Sequence, residues 1–263
     1  MKNGRNKNIP VVILCGGMGT RLSEYTEVRP KPLVEIGGKP ILWYIMKHYS
    51  QYGFNEFILA LGYKGEQIKR YFLDFYNLSK DFTVSLNDGN IRSINKNHCD
   101  PWKVHLIDTG QKTQTGGRLK LLKSLINKDV FMMTYGDGVS DVNLDALLKF
   151  HKSNKGLVTL TAVRPPARFG ALEFEGNKIR HFKEKSVLHE GWINGGFFVI
   201  NSKALNYIHE DVMWEQAPME QLAEDGNLHA YKHEGFWQCM DTARDLKYLE
   251  DMWQTGKAPW KTW

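Results

Sequence analysis

A strand-like apolar run, Val11 to Cys15, ends directly in Gly16-Gly17-Met18-Gly19-Thr20-Arg21. Three glycines in four positions let the main chain bend tightly and approach a ligand with no Cβ in the way. Successive N–H groups of such a turn can converge on anionic oxygens. Arg21 adds a planar fork of donors suited to phosphate. Ten residues on, Lys31 lies between Pro30 and Pro32. The two rings restrict the backbone around it, so this lysine can present a point charge to a phosphate group. The alternatives are a plain glycine-rich turn and a solvated lysine; the strand before the loop and Thr20-Arg21 after it favour a phosphate ligand.

Two familiar loops are excluded. A dinucleotide fingerprint needs a third glycine where this chain has Leu22, and in Gly37-Gly38-Lys39-Pro40 a proline takes the place of the hydroxyl residue of a P-loop. Asp137 follows another apolar run, Val130 to Thr134, inside Tyr135-Gly136-Asp137-Gly138. Ligands of open α/β sheets sit outside the carboxyl ends of the strands, so Asp137 suits a metal-binding role, with simple turn formation as the alternative. Asp241, before Thr242 and a helical stretch, also reads as a helix N-cap. Asn194, before Gly195-Gly196, fits a polar group at the entrance of a strand. Glu184-Lys185 has the look of an ordinary exposed pair. Trp192 and Trp237 are able to stack on a ring, although core packing is the stronger reading for each.

These residues need a scaffold. Pro40 suits the first turn of a helix carrying Ile41, Ile45, Tyr49 and Tyr52 at helical spacing, ended by Gly53. Phe57–Leu61 reads as a buried strand and 65–75 as a helix. Further strands are expected at 82–86, 102–107, 130–134, 157–163 and 193–200, with helices at 119–126, 144–151, 219–224 and 243–253. The stretch 169–185 alternates around a turn at Glu175-Gly176-Asn177. Strands alternating with helices over the first 160 residues imply a mainly parallel sheet. The hairpin-rich second half suggests a β-containing addition to it. The expectation is a flexible extension over 1–10 and one domain over 11–263, with an α/β core at 11–160 and a C-terminal portion at 161–263.

Composition narrows the classes. Apolar residues form 42% of the 263-residue chain, enough for a sizeable core. No apolar run approaches the roughly 20 residues of a membrane span. The polar start, Met1 to Pro10, lacks signal-peptide character, so a cytoplasmic location without membrane attachment is expected. Cys15, Cys99 and Cys239 are scattered and form neither a disulfide framework nor a zinc spacing. Cys15 reads as a buried thiol. The net charge of +6 is interleaved with acidic residues and decides nothing. No nucleic-acid module is recognisable.

The segment Leu14-x-Gly16-Gly17-x-Gly19-Thr20-Arg21-Leu22, followed by Arg29-Pro30-Lys31-Pro32-Leu33, resembles the signature of the sugar nucleotide pyrophosphorylases, a nucleotidyltransferase family. The resemblance runs over essentially the whole chain after Pro10. Thr115-Gly116-Gly117-Arg118-Leu119, the Trp237-Gln238-x-Met240-Asp241-Thr242 stretch and the Ala258 to Trp263 ending are narrower and resemble the cytidylyl branch. The resemblance implies a Rossmann-like α/β fold: a mixed, mainly parallel sheet flanked by helices, with a β-hairpin-rich sugar-binding subdomain. It implies CTP and glucose 1-phosphate as substrates, Mg2+ as cofactor, a homo-oligomer, and no nucleic acid. Leu14, Cys15, Gly16, Gly17, Met18, Gly19, Thr20 and Arg21 would wrap the nucleotide and its triphosphate, and Lys31 would contact phosphate. Thr113 and Arg118 would line the pocket near the base, and Gly136 would border the ribose. Asp137 and Asp241 would hold the metal. Gly170, Glu184 and Asn194 would take the hexose and Lys185 its phosphate, making Arg21, Lys31 and Lys185 the catalytic cations. Cys15 stands where alanine is common, and Ser186 where proline usually follows Glu-Lys. A thymidylyl-, uridylyl- or guanylyltransferase is the alternative, and a non-catalytic subunit of the same fold a remote one.

Overall fold

The computed structural model describes residues 7–79, 81–94, 100–165, 171–175, 178–183 and 191–263. Its strands are β1 (Val11–Cys15), β2 (Glu35–Ile36), β3 (Lys39–Pro40), β4 (Glu56–Leu61), β5 (Phe82–Val84), β6 (Ile91–Ser93), β7 (Lys103–Asp108), β8 (Val130–Tyr135), β9 (Gly138–Ser140), β10 (Val158–Val163), β11 (Ala171–Glu175), β12 (Lys178–Lys183), β13 (Ile193–Asn201), β14 (Leu228–His233) and β15 (Trp237–Cys239). Its α-helices are α1 (Ser23–Thr26), α2 (Ile41–Gln51), α3 (Gly65–Leu78), α4 (Thr115–Leu121), α5 (Leu144–Ser153), α6 (Ala217–Glu224) and α7 (Ala243–Gln254).

Seven strands form the main sheet in the order β14-β10-β13-β8-β1-β4-β7. β1 pairs in parallel with β4 and β8, β4 with β7, and β10 with β14; β13 runs antiparallel to both of its neighbours. The mixed, mainly parallel sheet expected from the sequence is the one the chain builds. Alternation along the buried strands divides the core in two. Val11, Ile13 and Cys15 of β1 join Phe57, Leu59 and Leu61 of β4 and residues of α2 and α5 on one face. Val12 and Leu14 join Ile58, Ala60, Phe131, Met133, Leu119 and Leu222 on the other. Burial on both faces is why these strands read as unbroken apolar runs. The aromatic ending packs on the chain's own body, with Trp260 stacked on Phe236 and Trp263 against Trp43 and Tyr44.

Several boundaries differ from the sequence expectation. Pro40 ends β3 and N-caps α2 in an extended conformation, so the helix begins at Ile41. α4 starts at Thr115, not at Leu119, and Leu122–Leu125 are turn. Its Gly116-Gly117 pair, unfavourable inside a helix, is there because of contact: a Cβ on Gly116 would stand 2.6 Å from the Val212 carbonyl, and one on Gly117 2.0 Å from Asp211 Oδ1. Gly116→Ala is therefore expected to cost about 1–3 kcal/mol, read as a lower midpoint in chemical unfolding; an unchanged midpoint would show that the 210–214 loop shifts freely. β14 lacks strict alternation and escaped the sequence reading, as did the short pair β9 and β15, which pair with each other. The 169–185 stretch does contain an antiparallel pair, β11 with β12. The second half also gives β10, β13 and β14 to the main sheet. Among the described residues, no helix is long and apolar enough to cross a membrane.

Candidate active site

The chain steps outward from β1 to β4 to β7 and then returns to lay β8 on the other side of β1. That reversal leaves the loops after β1 and β8 side by side, the usual place for a ligand in such sheets. They open on a crevice of ≈ 500 Å³ walled by Leu14–Gly17, Gly19–Arg21, Lys31, Thr113–Thr115, Arg118, Tyr135–Gly138, Gly195, Trp237, Cys239 and Asp241. The β8 turn passes directly over the end of β1. A Cβ on Gly136 would lie 3.1 Å from the Leu14 carbonyl and 3.2 Å from Cys15 Sγ.

Gly19 adopts φ = 64° and turns the glycine loop back, with Thr26 Oγ1 donating to its carbonyl at 3.0 Å. Its missing Cβ would meet Thr26 Cγ2 at 2.9 Å and Lys31 Cβ at 3.3 Å. Among the described residues, no protein acceptor pairs with the backbone N–H groups of Gly17, Met18 and Gly19. Those donors are free for an anion. The side chain of Met18 is 54% exposed and does not line the crevice; any contribution of this residue comes from its backbone.

Lys31 Nζ donates to Asp137 Oδ2 at 2.7 Å and to Asp241 Oδ1 at 2.6 Å. Arg21 reaches the other oxygen of Asp241 at 3.0 Å. Burial alone would lower the pKa of Lys31, but the charges and hydrogen bonds of Asp137 and Asp241 outweigh it and hold the ammonium above its ordinary value. Burial likewise favours a neutral Asp241, and Lys31 and Arg21 overcome it, holding that carboxyl below the usual range. Asp241 is free for this because it is not the helix cap. Thr242 caps α7 and forms a reciprocal capping box with Asp245. Two carboxylates facing one small space suit Mg2+, which takes one or two carboxylates and completes its shell with phosphate and water. Among the described residues, no group of three or more His, Cys, Asp or Glu side chains converges, so an ion held by this pair would take its other ligands from substrate and water.

Arg118 reaches the crevice wall, as the resemblance implies, and also has a structural role. Only 4% exposed, it donates to the carbonyls of Leu61, at 2.9 Å, and Gly16, at 3.3 Å, and to Thr109 Oγ1 at 2.6 Å. It borders the crevice but is committed to tying together the ends of β1, β4 and β7. A Cβ on Gly16 or Gly62 would collide with its guanidinium. Thr113 lines the crevice as expected. Asn194 stands just outside the wall, with Nδ2 donating to Tyr135 Oη at 3.2 Å and Oδ1 accepting from Gly196 N at 2.9 Å. Gly170, Glu184 and Lys185 lie outside the described residues. The thiol of Cys15 is buried, and burial together with Asp137 pushes its pKa far up; the same causes, with Asp241, push Cys239 up to about 12. These causes disfavour a thiolate at either position. The sequence reading gave no role to Tyr135 and Thr115, although both stand in stretches it singled out, and it missed Glu215, which no local motif marks.

A parallel-type sheet whose glycine loop, fixed cations and paired carboxylates open on one crevice at the strand reversal defines a nucleotide-binding α/β protein. Comparison with known proteins makes this specific. The chain belongs to the nucleotidyl transferase family, which matches residues 10–254. It is 50% identical to the glucose-1-phosphate cytidylyltransferase of Salmonella typhi over 96% of this chain and 98% of that one. It is 44% identical to the probable glucose-1-phosphate cytidylyltransferase of Bacillus subtilis (strain 168), over 96% and 99% of the two chains. Among solved structures, HddC from Yersinia pseudotuberculosis complexed with GMP-PN shares the fold with a TM-score of 0.67 at 22% identity, over 93% of this chain and 99% of that one. The UTP-bound UGPase of Acinetobacter baumannii does so with a TM-score of 0.67 at 14% identity, over 93% of each chain.

Proposed function

We propose that this nucleotidyltransferase moves the cytidylyl group of CTP onto α-D-glucose 1-phosphate, giving CDP-glucose and pyrophosphate. The observation that carries the reading is the meeting of Lys31, Asp137 and Asp241 beneath a glycine loop with unpaired amides. The high identity to two cytidylyltransferases over nearly the whole chain supports the choice of base and sugar.

A phosphate oxygen of the sugar phosphate attacks the α-phosphorus in line, and the bond from that phosphorus to the β-phosphate's bridging oxygen breaks. The nucleophile is already an anion at neutral pH, so no general base is required. Catalysis is then positioning and charge compensation. The amides of 17–19 and the Arg21 fork receive the triphosphate, and Lys31 supplies a fixed positive charge at the crevice floor. Lys185 is assigned to the sugar phosphate, with Gly170, Glu184 and Asn194 around the hexose. Asp137 and Asp241 would hold Mg2+, which when bound would supply Lewis-acid neutralisation of phosphate charge. Residues 11–263 act in this reading as one domain, with the nucleotide side in 11–160 and the sugar side in 161–263, and the enzyme is assigned to the cytoplasm. A homo-oligomer belongs to the same reading.

The test is pyrophosphate release with glucose 1-phosphate and each of CTP, UTP, dTTP and GTP. CTP is expected to give the highest kcat/KM. Turnover with another triphosphate and none with CTP would overturn the base assignment and leave the family membership standing.

A further inference from the structure

Behind the crevice a single carboxylate joins its two sides. Glu215, in the loop before α6, accepts from Tyr135 Oη through Oε1 at 2.5 Å and from Thr115 Oγ1 through Oε2 at 2.6 Å. Thr115 opens α4 on the wall formed by the 113–115 segment, and its Oγ1 in turn accepts from Trp214 N at 2.8 Å. Tyr135 ends β8 one residue before Gly136-Asp137, and its ring also lines the crevice. Glu215 itself is absent from that wall.

Proton counting fixes the direction of the chain. An ionised carboxylate only accepts, and a phenol has one hydrogen. The Tyr135 hydrogen goes to Glu215, so Tyr135 Oη must accept from Asn194 Nδ2. That orients the amide, placing Oδ1 on Gly196 N. Asn194 is left with one amide hydrogen and one lone pair in a defined orientation. The local fold serves this contact: Gly196 adopts φ = 77°, and a Cβ there would stand 2.5 Å from Tyr135 Cδ2.

We propose that Glu215 is a positioning residue that couples the two substrate sites. It touches neither substrate. Through one oxygen it holds the start of α4 beside the nucleotide, and through the other it sets the Tyr135–Asn194 pair that faces the hexose. Nucleotide that settles the 113–115 segment thereby settles Asn194, and the sugar phosphate binds more tightly as a result. The proposal rests on the assignment of Asn194 to the sugar side made above. Coupling through one shared carboxylate is reciprocal, so sugar phosphate must tighten nucleotide binding by the same factor.

Calorimetric titration of glucose 1-phosphate, with and without a saturating non-hydrolysable analogue of the triphosphate that the turnover assay selects, tests it. The wild type is expected to bind the sugar phosphate roughly 10-fold tighter with the analogue present. Glu215→Ala and Tyr135→Phe are each expected to bring that factor close to one, and the double variant to be no worse than either alone. Glu215→Gln, which can still accept from Tyr135, is expected to keep most of the coupling. It also controls for collapse of the loop. A wild-type coupling factor retained in Glu215→Ala, or equal loss in Glu215→Ala and Glu215→Gln, overturns the proposal. The turnover assay on the wild type is independent of these variants, so failure of the substrate assignment and failure of the coupling are separately visible.

Discussion

Asp137→Asn is expected to lower kcat on the order of 10^3-fold while leaving the far-ultraviolet circular dichroism and the unfolding midpoint near the wild type. The carboxylate sits in a turn whose backbone is fixed independently of its charge: the Asp137 carbonyl accepts from Met240 N at 2.8 Å, and Gly136 N donates to the Leu14 carbonyl at 3.1 Å. Asparagine has the same shape and retains an oxygen for Lys31, so the turn survives. What is lost is one negative charge facing the space to which the proposal assigns the substrate phosphates and a divalent ion. A reaction that runs on charge compensation, with no proton to move, is sensitive to that loss in the chemical step more than in binding. The measurement is steady-state turnover with saturating Mg2+ beside thermal unfolding of the same preparation. Turnover within about 10-fold of wild type would remove Asp137 from the metal site.

How much of this was legible beforehand depends on how local each signal is. The glycine loop, Arg21, Lys31 and Asp137 are each marked by neighbours: a strand before, a proline on either side, a glycine on either side. Their convergence follows from the sheet order, because residues ending adjacent parallel strands must end together. The helices α2, α5 and α7 were readable from periodicity and glycine punctuation. β14 was not, since its side chains are mostly half-buried and its pairing with β10 is set by tertiary contact. Arg118 borders the crevice as the resemblance implied, but its structural role was not legible: the two glycines before it serve close packing of α4 on the 211–214 loop, and its guanidinium is engaged by the carbonyls of Leu61 and Gly16 and by Thr109 Oγ1. Glu215 lies in a stretch with no motif, and its role depends on partners 80 and 100 residues away; no local pattern carries that information. Asp241 was balanced between cap and ligand, and only the capping box of Thr242 with Asp245 decides it.

Lys31→Met is expected to act on both catalysis and stability, and the pH dependence separates the two. Its ammonium is the common partner of Asp137 and Asp241, with side chains 11%, 30% and 15% exposed. Without it, two carboxylates face each other with Arg21, itself 73% exposed, as the remaining cation. Removing one partner of a buried ion pair is costly because the other charge is left uncompensated; with water reaching these groups, about 1–3 kcal/mol is expected. The Asp241 pKa lies below its ordinary value near 3.9, so its stabilisation is present above that value and is lost as pH falls through the folded value. The Lys31 pKa lies above its ordinary value near 10.4, so its stabilisation is present below that value and is lost as pH rises through the folded one. The deficit of Lys31→Met should therefore be full from about pH 5 to 9 and close progressively in acid, as protonation of Asp241 dissolves the same interaction in the wild type. Turnover should fall by roughly 10^2–10^3-fold throughout, because the fixed charge serving the phosphates is gone at every pH. Thermal unfolding across the pH range beside kcat/KM at neutral pH reads both effects. A stability deficit that ignores pH would place the destabilisation in packing of the lysine stem against Gly19. Unimpaired turnover would leave Arg21 as the cation that matters.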